Sequence, residues 1–136
     1  MKRVFALALC LLMLVGCGET TEEAWGTVMT VTDVTPTGLS LSLSAPAVNP
    51  QTGYLQTGRA YSLERLTNDT WSAVPTLHEP IFTTEGIGVP MSDTINWEWL
   101  YGTLPKGHYR LKKEIMLYRA PGDFDKATVT AEFDIN

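Results

Sequence analysis

Gly38-Leu39-Ser40-Leu41-Ser42-Leu43-Ser44 alternates apolar and polar residues without a break. That period of two sends Leu39, Leu41 and Leu43 to one side of an extended chain and the serines to the other, as in a strand with one face buried and one in water. The same alternation recurs on both flanks. Gly26 to Val34 is thick with Val and Thr, and Tyr61 and Leu63 alternate with Ser62 and Glu64. Ile95, Trp97 and Trp99 share one predicted face, with Asn96 and Glu98 on the other. Tyr109, Leu111, Ile115 and Leu117 share another, which Lys113 interrupts, so Lys113 is expected near the sheet rim. Val129, Ala131, Phe133 and Ile135 alternate with Thr128, Thr130, Glu132 and Asp134.

The segments between these runs read as turns. Thr67-Asn68-Asp69-Thr70, ahead of Trp71 to Val74, predicts a hairpin whose loop residues tolerate left-handed backbone. Asn49-Pro50-Gln51-Thr52-Gly53 is turn material. Residues 75–92, broken by Pro75, Pro80, Gly86, Gly88 and Pro90, predict a long connection with one short strand. Seven or eight strands and no helical period predict an all-β, antiparallel β-sandwich. About 110 residues is close to the commonest domain size, so a single hydrophobic core suffices.

The N-terminus has a different character. Lys2-Arg3 precedes an apolar run from Val4 to Gly16, and Leu14-Val15-Gly16-Cys17 closes it. A transmembrane helix needs roughly 20 apolar residues, more than this run supplies, and Gly18-Glu19-Thr20-Thr21-Glu22-Glu23 turns abruptly polar. The arrangement resembles the signal sequence and lipobox of a bacterial lipoprotein. That resemblance implies cleavage before Cys17 and lipid on its thiol and new amino group. It divides the chain into a signal peptide (1–16), a lipidated cysteine with an acidic tether (17–25) and the sandwich (26–136). Residues 18–24 reach about 25 Å when extended, which would hold the domain close to the outer side of a membrane. Gly18 follows the cysteine, so the Asp that favours inner-membrane retention in two-membrane bacteria is absent.

Loss of the leader removes Lys2 and Arg3 and no acid, leaving 8 basic residues against 15 acidic ones, a formal charge of −7. Nucleic-acid binders carry basic patches that neutralise phosphate, so this balance argues against nucleic acid and against docking flat on anionic lipid. Arg110, Lys112 and Lys113 form the only basic cluster and, with Glu114 following, read as a solvated strand face. Cys10 falls in the leader and lipid would consume Cys17, so no disulfide is expected.

Trp97-Glu98-Trp99-Leu100-Tyr101-Gly102-Thr103-Leu104-Pro105-Lys106-Gly107-His108-Tyr109-Arg110, with Ala131-Glu132-Phe133 downstream, resembles a bacterial immunoglobulin-like domain family. Members carry a W-x-W-L-Y-G-x-L-P-x-G-x-Y-R stretch and end on an A-E-F strand. Val34-Thr35-Pro36-Thr37-Gly38-Leu39 and Tyr61-Ser62-Leu63-Glu64 resemble the family's opening strands. The resemblance implies an immunoglobulin-like sandwich, found alone as a lipoprotein or appended to membrane-embedded, sensor-type metallopeptidases, and it brings no general ligand or reaction. Leu104-Pro105-Lys106-Gly107 reverses the chain, and Tyr109 just after it resembles a tyrosine corner, its hydroxyl tied to upstream backbone. Trp97 and Trp99 are read as core, because their spacing aims both at the face of Ile95.

No catalytic constellation emerges. His78 with Glu79, and His108 alone, lack a metal-binding spacing and read as exposed loop histidines. Asp123 and Asp125 lack the 12-residue calcium-loop pattern. The mature chain holds no G-x-S-x-G elbow, no S-x-x-K and no Cys–His pair. Catalytic residues, metals and cofactors are therefore expected to be none. The leading expectation is a lipid-anchored module that binds or positions another envelope component through sheet edges or the loops at 49–58 and 119–126. The alternative is a carbohydrate or small-ligand module whose exposed aromatics would be Trp71, Tyr54 and Trp25.

Overall fold

The computed structural model describes residues 24–46, 53–83 and 85–136. The leader, Cys17 and the tether through residue 23 lie outside these, as does most of the turn at 49–53. The described residues form nine strands and one short helix: β1 (Val28–Thr35), β2 (Gly38–Ser44), β3 (Tyr54–Thr57), β4 (Ser62–Thr67), β5 (Thr70–Ala73), β6 (Ile87–Gly88), β7 (Met91–Asn96), α1 (Glu98–Tyr101), β8 (Gly107–Ala120) and β9 (Asp123–Ile135). All pairings are antiparallel. The fold is an immunoglobulin-like β-sandwich.

One sheet has the order β1-β2-β7. Its middle strand is the alternating Leu/Ser run, and all three leucines are buried. The second sheet is built on β8, which pairs with β9 along one edge and with β4 and then β3 along the other. Leu63, Tyr109, Leu111, Ile115 and Leu117 of this sheet close on Leu39, Leu41, Leu43 and Ile95 of the first. The hairpin between β4 and β5 turns on Asn68 and Asp69, both with positive φ (51° and 64°), the left-handed pair that matches strand twist.

Lys113 does not sit at a rim. It is buried in the middle of β8, where one edge of that strand passes from β4 to β3 and the carbonyls of the connecting segment turn inward. Its Nζ donates to the carbonyls of Gly58 (2.7 Å) and Ala60 (3.1 Å). Burial pushes its pKa below the ordinary lysine value.

Trp97 and Trp99 do not share a face. The β7 strand ends at Asn96, whose Oδ1 accepts the Glu98 N–H (2.9 Å), an Asx turn that competes with extended backbone. One helical turn follows, with the Tyr101 and Gly102 amides donating to the carbonyls of Trp97 and Glu98. Gly102, at φ 79°, terminates it. Trp97 is 0% exposed; Trp99 is 61% exposed. The indole Nε1 of Trp97 donates to the Pro36 carbonyl (3.0 Å), and its ring stacks on Phe133, which stacks in turn on Tyr109. The Tyr109 hydroxyl donates to the Pro105 carbonyl (2.7 Å), the geometry of a tyrosine corner.

Candidate functional site

Strand register gives the sandwich two distinct ends. At one end Val28 pairs with Ser44 and Leu43 with Met91, and the chain enters through Ala24 to Thr27. At the other, about 23 Å along β1, Gly38 pairs with Asn96, and α1 with its flanks sits against the Pro36-Thr37 turn. The second sheet runs between the same ends. Leu104, just before β8, donates its N–H to the Pro36 carbonyl, so Gly107 lies at the far end and Ala120 at the entry end.

The far end carries Trp99. Its ring lies on the His78 imidazole at 4.2 Å and 13°, and Leu77 beside it is 63% exposed. The Leu77 N–H donates to the Leu100 carbonyl (2.7 Å), clamping the 75–83 segment onto α1. Gly102 is required there, because a Cβ would meet Leu77 Cδ1 at 3.2 Å on a backbone of φ 79°.

The outward face of the second sheet is a ladder of charged and polar rungs with an aromatic rung at each end. At the far end, His108 stands between Asp134 and Leu66, with Trp71 next to Leu66. His108 Nε2 is 2.6 Å from Glu132 and Nδ1 is 2.7 Å from Asp134. Hydrogen bonds to those two carboxylates raise its pKa, and both nitrogens are then donors. His108 is thus a strand residue rather than a loop one, and both nitrogens are engaged. On the next rung, Arg110 and Lys112 converge on Glu64 (2.6 and 3.4 Å). Burial alone would raise the Glu64 carboxyl, but Arg110 and then Lys112 hold it below the usual carboxylate range.

Of the three aromatics expected to offer ligand contacts, only Tyr54 is free to do so. Trp71 is half-buried, with the Arg110 guanidinium over its ring at 4.3 Å and His108 at 5.7 Å. Trp25 is half-buried against the core. Tyr54 is 61% exposed and pairs with Tyr118, which pairs with Phe124, 38% exposed. Tyr54 also borders a groove of about 420 Å³ with Pro46 and Pro90. Tyr118 and Phe124 were legible in principle: both occupy the outward phase of their alternation, where a large aromatic is out of place.

Arg119 binds both Asp123 and Asp125 at 3.0 Å, so these acids form a closed hairpin network. Among the described residues no group of three or more His, Cys, Asp or Glu side chains could hold a metal ion. No helix among them is long and apolar enough to cross a membrane.

Neither the curated proteins nor the solved structures gave a significant match to the chain. The bacterial Ig-like domain family matches residues 23–134, nearly the whole of the described sandwich. With the two antiparallel sheets and the tyrosine-tied turn at Pro105, that match places the chain: it belongs to the bacterial Ig-like domain family.

Proposed function

We propose that this protein is a non-catalytic Ig-like module, lipid-anchored through Cys17 on the outer side of a membrane, that binds another cell-envelope component through the end bearing Trp99. The observation that carries the reading is the exposure of Trp99 and Leu77 side by side, with Trp99 stacked on His78 and Leu77 hydrogen-bonded to α1, at the end opposite the chain's entry. Tryptophan is among the side chains enriched where a few residues carry most of an interface's binding energy. Such a placement would present it to the envelope and away from the anchor. The groups most able to do acid–base chemistry, His108 and Glu64, are engaged by neighbouring side chains. The carbohydrate reading retains Tyr54 alone of its three aromatics, so the partner reading is preferred.

The test is recovery of crosslinked envelope partners from the native host. The wild-type chain should retain a partner that Trp99→Ala loses while keeping its melting temperature. Equal recovery by wild type, Trp99→Ala and a secreted Cys17→Ala control would overturn the proposal.

A further inference from the structure

We infer that Tyr54, Tyr118 and Phe124 form a seat on which the domain rests in the bilayer–water interface, standing the strands upright so that Trp99 points away from the membrane. This rests on the lipid anchor proposed above.

The three residues occupy one rung of adjacent strands β3, β8 and β9, whose neighbours lie about 4.8 Å apart. All three are on the outward face. It is the last complete rung of the second sheet, beyond which β8 and β9 meet at the Pro121-Gly122 turn. Its position ties it to the chain's entry. Tyr54 and Pro46 border one groove, and Gly26 approaches so near Pro46 that a Cβ would stand 3.0 Å from its ring. Exposed Val28, at the start of β1, belongs to the same end.

Chain length supplies the second argument. From Cys17 to Ala24 is seven residue steps, about 25 Å at full extension. An acylated Cys17 would therefore keep this end within reach of the lipid. Tethering at that range raises the effective concentration enough for a weak contact to be occupied.

Chemistry supplies the third. Tyrosine has an apolar body and a polar tip, and aromatic residues of this kind concentrate at headgroup depth. Lys126 stands 5.6 Å from the Phe124 ring. Around the rung, Arg119 pairs with Asp123 and Asp125 and Lys126 pairs with Glu114, which leaves this rim one net negative formal charge. The aromatic rung at the far end offers no such seat, because Trp71 is covered by Arg110.

The experiment uses the mature acylated protein, beginning at Cys17, in phosphatidylethanolamine–phosphatidylglycerol vesicles. Nitroxide labels are placed singly at Phe124→Cys, Tyr54→Cys and, as the far-end reference, Trp99→Cys, with melting curves to establish folding and mass spectrometry of residue 17. Labels at 124 and 54 should collide with oxygen in preference to a water-soluble nickel chelate several-fold more than the label at 99. Equal, water-like accessibility at all three sites on an acylated chain would overturn the seat and leave the anchor standing. A chain with unmodified Cys17 that floats free of vesicles would overturn both. Labels at 124 and 54 immobilised by added chito-oligosaccharide but not by vesicles would overturn the seat in favour of a glycan site.

Discussion

Trp97 and Trp99 are separated by one residue and lie in opposite media: the first donates its indole N–H to Pro36 inside the sandwich, and the second lies on His78 in water. Truncating the buried ring removes its apolar contacts and leaves the Pro36 carbonyl without that donor. Trp97→Ala is expected to cost about 3–5 kcal/mol, whereas Trp99→Ala should stay within about 0.5 kcal/mol of wild type. Chemical denaturation of the two variants in parallel checks this, and equal destabilisation would reject the assignment.

Tyr109→Phe keeps the ring stacked on Phe133 and removes only the hydroxyl that holds Pro105. A lost hydrogen bond to a partly buried carbonyl costs about 1–2 kcal/mol. For a domain of this size, each kcal/mol lowers the melting temperature by roughly 4–8 °C. An unchanged melting temperature would show that the corner contributes nothing.

His108 gains two carboxylate partners on folding, and its pKa is raised. Its contribution is therefore full below the ordinary histidine value of about 6.5 and is lost as pH rises through the folded value. Against His108→Gln, the wild type should show a melting advantage at pH 5.5 that shrinks at pH 9. A constant gap would place the stabilisation elsewhere.

Glu64 works in the opposite direction. Arg110 and Lys112 hold its carboxyl down, so its contribution is present above the ordinary glutamate value and is lost as pH falls through the lowered one. Melting temperatures of wild type and Glu64→Gln should differ at pH 7 and converge in acid. Because Arg110 also covers Trp71, the variant should change Trp71 fluorescence at neutral pH.

The sandwich was legible in the sequence wherever one strand face met the core and the other met water. Leu39, Leu41 and Leu43 announced β2, and the left-handed pair Asn68-Asp69 announced the β4–β5 hairpin. Alternation misled at Trp99, because a single helical turn is too short to show its own period. The local signals that bracket it, Asn96 and Gly102, are individually common in turns. Lys113 misled because burial of an amine depends on carbonyls contributed by Gly58 and Ala60, more than fifty residues away. The aromatic rung had the same difficulty: Tyr54, Tyr118 and Phe124 become neighbours only through strand pairing. Composition could place each of them on a strand but not beside the others.

The lengthwise course of β1 and β7 has a mechanical consequence. A pull applied between Ala24 and Trp99 runs along the strands, so hydrogen bonds set across them resist it together, in shear, rather than unzipping one after another. Because β1 and β7 are both fastened to β2 between them, the load is shared across the whole first sheet.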